Sequence, residues 1–374
     1  MTNKAMAPYK SNPDSQAQLD TFKHRTLQRM EKIQLKIPHY PIQDKDLINI
    51  KTCPLCNNNH IVLIARVCLK SGFNFFSTNA CQNCGFVFRT ISPSYAWFQK
   101  CWQEIKTDSL EPFNPAIEKI RKRRYTQYLH LIRKYKPSGS LLDIGAANGT
   151  GSVLFRKNGY DVNCIEPEDN KARIIVNRHK LPLVADDVEE FLSRNHIKQY
   201  DTVIFTQCLE HLDNPVKVMR KIRRAIKPDG LLYLEIPIMK NFVTWSDALY
   251  LTHKSNFTEE MLTYLTEICG FKALEVRHFR HSRSEPLDFG LVLQPIRSIS
   301  KSTKSIKKIT AKDIDSIRNL YRRGLPPAFK NFPAEILRYE VDAIEQFYCT
   351  LRLNHKSLKI PADPNGTITF EQRT

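Results

Sequence analysis

The segment Leu141-Leu142-Asp143-Ile144-Gly145-Ala146-Ala147-Asn148-Gly149-Thr150-Gly151 constrains the fold more than any other stretch of the chain. A short apolar run ends in an acid, breaks at a glycine-containing turn and enters a helical pattern. Such an entry brings a ligand close to backbone N–H groups, and glycine permits both the close approach and a positive φ. Strands and helices alternate around it. Strands are expected over 141–144, 161–165, 183–185, 200–205, 230–236 and 271–278. Helices are expected over 151–158, 172–178, 214–226 and 257–269. This alternation predicts an α/β, doubly wound, mostly parallel sheet.

A short glycine pattern is weak by itself, because many loops carry one. Its company is more informative. Glu166 follows the second strand, about twenty residues after the loop, where an acid can accept hydrogen bonds from a ribose diol. Asp186 and Asp187 follow the third strand, where a polar residue can reach an adenine amine. Lys227-Pro228-Asp229-Gly230 turns sharply into the fifth strand. A dehydrogenase-type nucleotide fold would show G-x-G-x-x-G, and the spacing here differs.

With these residues in place, the stretch from about 139 to 275 resembles class I S-adenosylmethionine-dependent methyltransferases of the ubiquinone-biosynthesis type. Their loop reads roughly D-x-G-x-G-x-G. Asp143, Gly145 and Gly149 match it, and Ala147 stands where the middle glycine is usual. Cys208-Leu209-Glu210-His211-Leu212-Asp213-Asn214-Pro215 resembles the family's L-E-H-x-x-x-P segment, and residues 227–230 its K-P-G-G turn. The resemblance implies a Rossmann-like methyltransferase sheet with bound S-adenosylmethionine. Asp143, Gly145, Ala147, Gly149, Glu166, Asp186, Asp187 and Gln207 are the expected cofactor-binding positions.

Two C-x-x-C pairs precede this region, Cys53 with Cys56 and Cys81 with Cys84, the second followed by glycine. Each pair supplies two thiolates from one tight turn, which suits tetrahedral Zn2+. Four protein ligands leave no open position, so the zinc is expected to be structural. The gap between the pairs implies a long hairpin. The remaining cysteines, Cys68, Cys101, Cys164, Cys208, Cys269 and Cys349, read as packing residues. A small zinc ribbon ahead of this domain type resembles the layout of bacterial sugar C-methyltransferases.

Methyl transfer from a sulfonium is an in-line displacement, so the enzyme mainly aligns the acceptor. His211 follows the fourth strand at the carboxyl edge and is the candidate base, the other reading being a structural histidine. Tyr250 and His253 match the tyrosine and histidine of the sugar C-methyltransferases near their acceptor. Thr252 stands where their glutamate would be. The acceptor expected on these grounds is a small molecule, a sugar or nucleotide-sugar.

The net charge of +19 asks for an acidic partner. An RNA methyltransferase is the alternative reading, with Arg121–Arg124, Arg220–Arg224 and Lys301–Lys308 on phosphates and the zinc module assisting. Solvated helix faces explain the same residues. No apolar run has the length of a bilayer-spanning helix, and the first residues lack a signal-peptide core, which reads as cytoplasmic. The expected organisation is a basic leader over 1–49, helical around 15–36 or disordered, then a zinc module over 50–100. The methyltransferase domain would run over 115–283, and a helical C-terminal extension with a linker over 284–374. Oligomeric state is open.

Overall fold

The computed structural model describes residues 43–69, 74–98, 115–195, 198–241, 252–279, 288–296, 309–321, 338–341, 359–361 and 367–371. The leader helix expected at 15–36, Tyr250, Cys101, Cys349 and Lys301–Lys308 lie outside the described residues. The small module is antiparallel: β1 (Leu47–Asn49), β2 (Ile61–Leu69), β3 (Asn74–Cys81) and β4 (Val87–Pro93), in the order β1-β4-β3-β2. Helix α1 (Pro115–Arg133) follows.

The large sheet comprises β5 (Gly139–Ile144), β6 (Tyr160–Ile165), β7 (Leu183–Ala185), β8 (Tyr200–Thr206), β9 (Ile226–Pro237), β11 (Phe271–Phe279) and β12 (Asp288–Pro295). Its order is β11-β12-β9-β8-β5-β6-β7. β7, β6, β5, β8 and β9 run parallel, and β12 is antiparallel to both its neighbours. The chain reverses its direction of travel across the sheet at β5, so the loop after β5 opens at the switch point where such sheets bind ligands. Helices α2 (Thr150–Lys157), α3 (Asp169–Arg173), α4 (Val188–Phe191), α5 (Pro215–Arg224) and α6 (Glu259–Ile268) connect the strands. Short side-chain caps fix their starts: Asp187 accepts from the Glu190 N–H, Asn214 from Lys217 and Thr258 from Met261. The helix expected to run through 178 is α only to Arg173 and continues as a π-turn over Ile174–Arg178.

Apolar residues cover both sheet faces. One face packs with α1 and α2 around Tyr125, Tyr128, Ile132, Leu141 and Phe155. The other packs with α5 and α6, and its core runs without a break into Phe86 and Phe88 of the small module. The junction is also hydrogen-bonded. β10 (Ser255–Asn256) pairs antiparallel with β4, setting Ser255 opposite Phe88 and Asn256 opposite Val87.

Three departures from expectation concern the chain's second half. The sheet does not close near 283, because β12 lies between β9 and β11. Its apolar stretch Phe289–Leu293 is buried on both faces and lacks the alternation that marks a strand. The region after 284 is also not helical throughout. Helix α7 (Ala311–Tyr321) is joined by β13 (Arg338–Val341), β14 (Lys359–Pro361) and β15 (Thr367–Glu371), and β13 pairs with β2. The small module also reaches beyond 50–100, drawing β1 and β10 into its sheet.

Gly151 shows how closely α1 covers the loop. A Cβ there would stand 2.2 Å from the Tyr125 ring. Gly151→Ala should therefore destabilise the chain by about 1–3 kcal/mol through overpacking. Urea unfolding checks this, and an unchanged midpoint would mean that α1 does not seat on α2.

Candidate active site

The loop after β5 is built on left-handed backbone. Gly145, Ala147 and Gly149 have φ of 76°, 50° and 77°. A side chain on Gly145 would meet the Cys208 thiol at 2.3 Å. Ala147 adopts the conformation the usual glycine would adopt, at about 1–2 kcal/mol for an L-residue. The Ala147 N–H donates to Glu166 Oε2 at 2.8 Å, which holds the residue there.

Glu166 is 5% exposed. Its other oxygen accepts from the Glu168 N–H at 3.0 Å. Two backbone donors leave about two of the four lone-pair positions of this carboxylate for a ligand. Burial pushes its pKa up to about 7, with Lys171 opposing.

Asp143, expected to touch the cofactor, is completely buried. It accepts from the Ser152 hydroxyl at 2.6 Å and the Tyr125 hydroxyl at 3.2 Å, and burial raises its pKa to about 6. It supports the loop from beneath. Of the two acids after β7, Asp187 is committed to the cap of α4, whereas Asp186 is exposed. Gln207, with φ of 54°, donates its N–H to the Glu235 carbonyl. Among the described residues its buried Nε2 has no hydrogen-bond partner.

Sequence reasoning missed Glu118. From α1 it accepts from Asn148 Nδ2 at 2.6 Å and Thr150 Oγ1 at 2.5 Å, clamping the loop from above. The available signal was its being the lone acid in the stretch 115–136. Cys208 packs its thiol into the space left by Gly145.

At the end of β8, a short turn over Leu209–His211 sets Glu210 inward and His211 toward the edge. His211 Nδ1 lies 3.1 Å from the Thr252 carbonyl, and the Lys254 N–H donates to the Glu210 carbonyl at 2.7 Å. These two bonds bring His253 beside His211, with ring centroids 4.9 Å apart at 66°. Burial lowers the His211 pKa to about 4, against the pull of the Thr252 and Gln207 carbonyls, so it is neutral at physiological pH. Burial and the neighbouring His211 lower His253 as well. Glu210 is pushed up to about 8, first by burial. Lys254 is nearly fully buried and paired with Asp213. His211 and His253, each named separately from the sequence, thus lie side by side.

The four expected zinc ligands also converge. Cys53 and Cys84 Sγ lie 3.6 Å apart, as do Cys56 and Cys81 Sγ, and all four sulfurs lie within 4.8 Å of one another. Tetrahedral zinc with bonds of about 2.3 Å needs sulfurs about 3.8 Å apart, so this set fits. Asn57 and Gly85, both with positive φ, close the two knuckles through bonds from their N–H groups to the Cys53 and Cys81 carbonyls.

Several cations assigned to phosphate in the alternative reading have partners within the fold. Arg121 pairs with Glu118, Arg124 with Asp288, and Arg223 donates to the Gly270 and Ile296 carbonyls. Among the described residues no helix is long and apolar enough to cross a membrane.

A family described as a methyltransferase domain matches residues 117–276. The C-methyltransferase NovU of Streptomyces niveus is 25% identical over 142 residues, 36% of this chain and 33% of that protein. The ubiquinone biosynthesis O-methyltransferase of Histophilus somni (strain 2336) is 25% identical over 128 residues, 32% of this chain and 53% of that protein. The chain thus spans a third to about half the length of these relatives. Among solved structures, the N-methyltransferase NodS of Bradyrhizobium japonicum WM9 in complex with S-adenosyl-L-homocysteine is 15% identical. Its TM-score is 0.41, covering 51% of this chain and 93% of that one.

Glu166 gives a test of the donor end. Its carboxyl titrates near 4.5 unfolded and near 7 folded, so the folded state holds the proton more tightly. Its contribution to stability is full below 4.5 and is lost as pH rises through about 7. In the ligand-free chain Glu166→Gln should remove that loss, worth about 3 kcal/mol above pH 7. Parallel pH-stability curves for the two proteins would refute it. Over residues 117–276 the chain is thus similar to a methyltransferase domain.

Proposed function

We propose that the chain transfers a methyl group from S-adenosylmethionine to a small-molecule acceptor in the cytoplasm. The observation that carries this reading is Glu166, held by two loop-side N–H groups with acceptor positions left over, beside the left-handed loop after β5. In this reading Glu166 takes the ribose diol, Asp186 the adenine amine, and the loop its neighbouring backbone. The four cysteines hold a structural zinc.

The acceptor end comprises His211 and His253, both neutral at pH 7. The relatives carry names of C- and O-methyltransferases. Thr252 supplies no carboxylate for a carbon acid, so the proposed acceptor atom is a hydroxyl oxygen, on a sugar or nucleotide-sugar. His211 serves the removal of its proton. The reaction forms one C–O bond and breaks one C–S bond, leaving S-adenosylhomocysteine.

Calorimetry with S-adenosylhomocysteine should show one site per chain and a raised Tm, and Glu166→Ala should weaken binding at least about tenfold. No heat and no Tm shift would sink the proposal. Affinity for bulk RNA should be weak and nearly flat in salt. Tight binding with a steep salt slope would replace the small molecule with nucleic acid as acceptor.

A further inference from the structure

The strongest unexplained feature lies where the turn after β8 meets the segment before β10. The Glu210 side chain is 2% exposed, and among the described residues neither carboxylate oxygen has a hydrogen-bond partner. A buried carboxylate without donors is destabilising by several kcal/mol unless a counter-charge accompanies it. The groups that face Glu210 Oε1 are two imidazole nitrogens: His211 Nε2 at 3.9 Å and His253 Nε2 at 3.9 Å. One ligand atom from each of the three residues lies within 4.8 Å of the others.

We propose that Glu210, His211 and His253 bind a divalent first-row cation. Two imidazoles and one carboxylate on one side of a cation form a facial set that leaves positions open for an exogenous oxygen. The tautomer suits this. His211 Nδ1 donates to the Thr252 carbonyl, which leaves the Nε2 lone pair directed at the centre of the set. Ligands with arms of about 2.1 Å sit about 3.0 Å apart in a facial set, so closure needs shifts of about one ångström from the separations seen here. Both histidines are reachable from outside, with side chains 24% and 14% exposed. The local field is mixed: Asp288 and Glu235 add negative charge at Glu210, and Arg89 and Lys254 add positive charge at His211.

The cation deepens the proposed function and rests on it for the acceptor. A hydroxyl of the acceptor fills an open position, and the cation lowers its pKa. The proton leaves to solvent. The oxygen then forms a bond to the methyl carbon while the C–S pair returns to sulfur. His211 thus assists deprotonation as a ligand.

The test uses the full chain with its cysteine site loaded with zinc, titrated with Mn2+, Co2+ or Ni2+. One further equivalent is expected to bind by calorimetry. Glu210→Gln, His211→Ala and His253→Ala should each weaken it at least about tenfold. Zinc content and the circular dichroism spectrum should remain at wild-type values. Pulsed electron paramagnetic resonance of bound Mn2+ should show nitrogen couplings from two imidazoles, and one in His253→Ala. No binding of any of the three ions at about millimolar concentration would overturn the proposal, as would equal binding by all three variants. S-adenosylhomocysteine binding keeps the two readings apart. Cofactor binding without the cation defeats this inference alone, and the cation without cofactor binding defeats methyl transfer alone.

Discussion

Asp143 has no contact with solvent, and a fully buried carboxylate is tolerated only where hydrogen bonds replace water. Its two partners come from different elements, Tyr125 on α1 and Ser152 on α2. The acid therefore ties the central strand to the helix before it and the helix after it. Gly151 lets those two helices approach, and Glu118 closes the same contact over the loop through Asn148 and Thr150. The loop is held from below by Asp143, from above by Glu118 and from the side by Glu166. Three carboxylates can thus keep Ala147 in the left-handed region without glycine.

The acceptor edge depends on a different device. His253 sits on a connecting segment that has no helix or sheet of its own to fix it. Its position is set by hydrogen bonds on both flanks: Thr252 to His211, Lys254 to Glu210 and Arg89, and Ser255–Asn256 to β4. Half of these partners belong to the small cysteine module. Stacking of Phe86 on Phe88 and the tilted contact of Phe86 with Phe257 extend the same junction into the core. A metal that closes the two knuckles at one end of this module therefore stiffens the strand that aligns a histidine at the other. In the proposed reading this is the role of a structural zinc in an enzyme whose chemistry needs none from it.

The central sheet was legible because its parallel strands other than β9 are short, largely apolar and bounded by a turn or a helix. β7 was read to the residue, and β5, β6 and β8 within two. The starts of α5 and α6 lie within two residues of those expected, and the Asn214 and Thr258 side chains cap them. β12 escaped because burial on both faces removes the alternation that marks a strand. The clamp from Glu118 escaped because its partners lie 30 and 32 residues away. Asp143 and Asp187 were given to the cofactor because an acid at a strand end has the same sequence appearance whether it faces ligand or backbone. Only the direction of the side chain separates the two, and tertiary packing sets that direction.

The two ends of the site therefore differ in how they are encoded. The donor end lies in one contiguous stretch from Asp143 to Glu166, and local backbone rules account for most of it. The proposed acceptor end is assembled from residues 89, 210–211 and 252–256, and none of the three segments is informative alone. Glu210 makes this plain: in sequence it is an ordinary acid beside a histidine. In the fold its carboxyl group is buried beside two imidazoles, whose Nε2 atoms each lie 3.9 Å from Oε1. A chain rarely keeps a buried carboxyl group in that condition unless something else completes its coordination. The electrostatics of the edge therefore point past hydrogen bonding between side chains to a ligand that meets a carboxylate and two neutral imidazoles at once. A cation meets both, whereas a second proton on either imidazole would leave the other ring facing a positive charge.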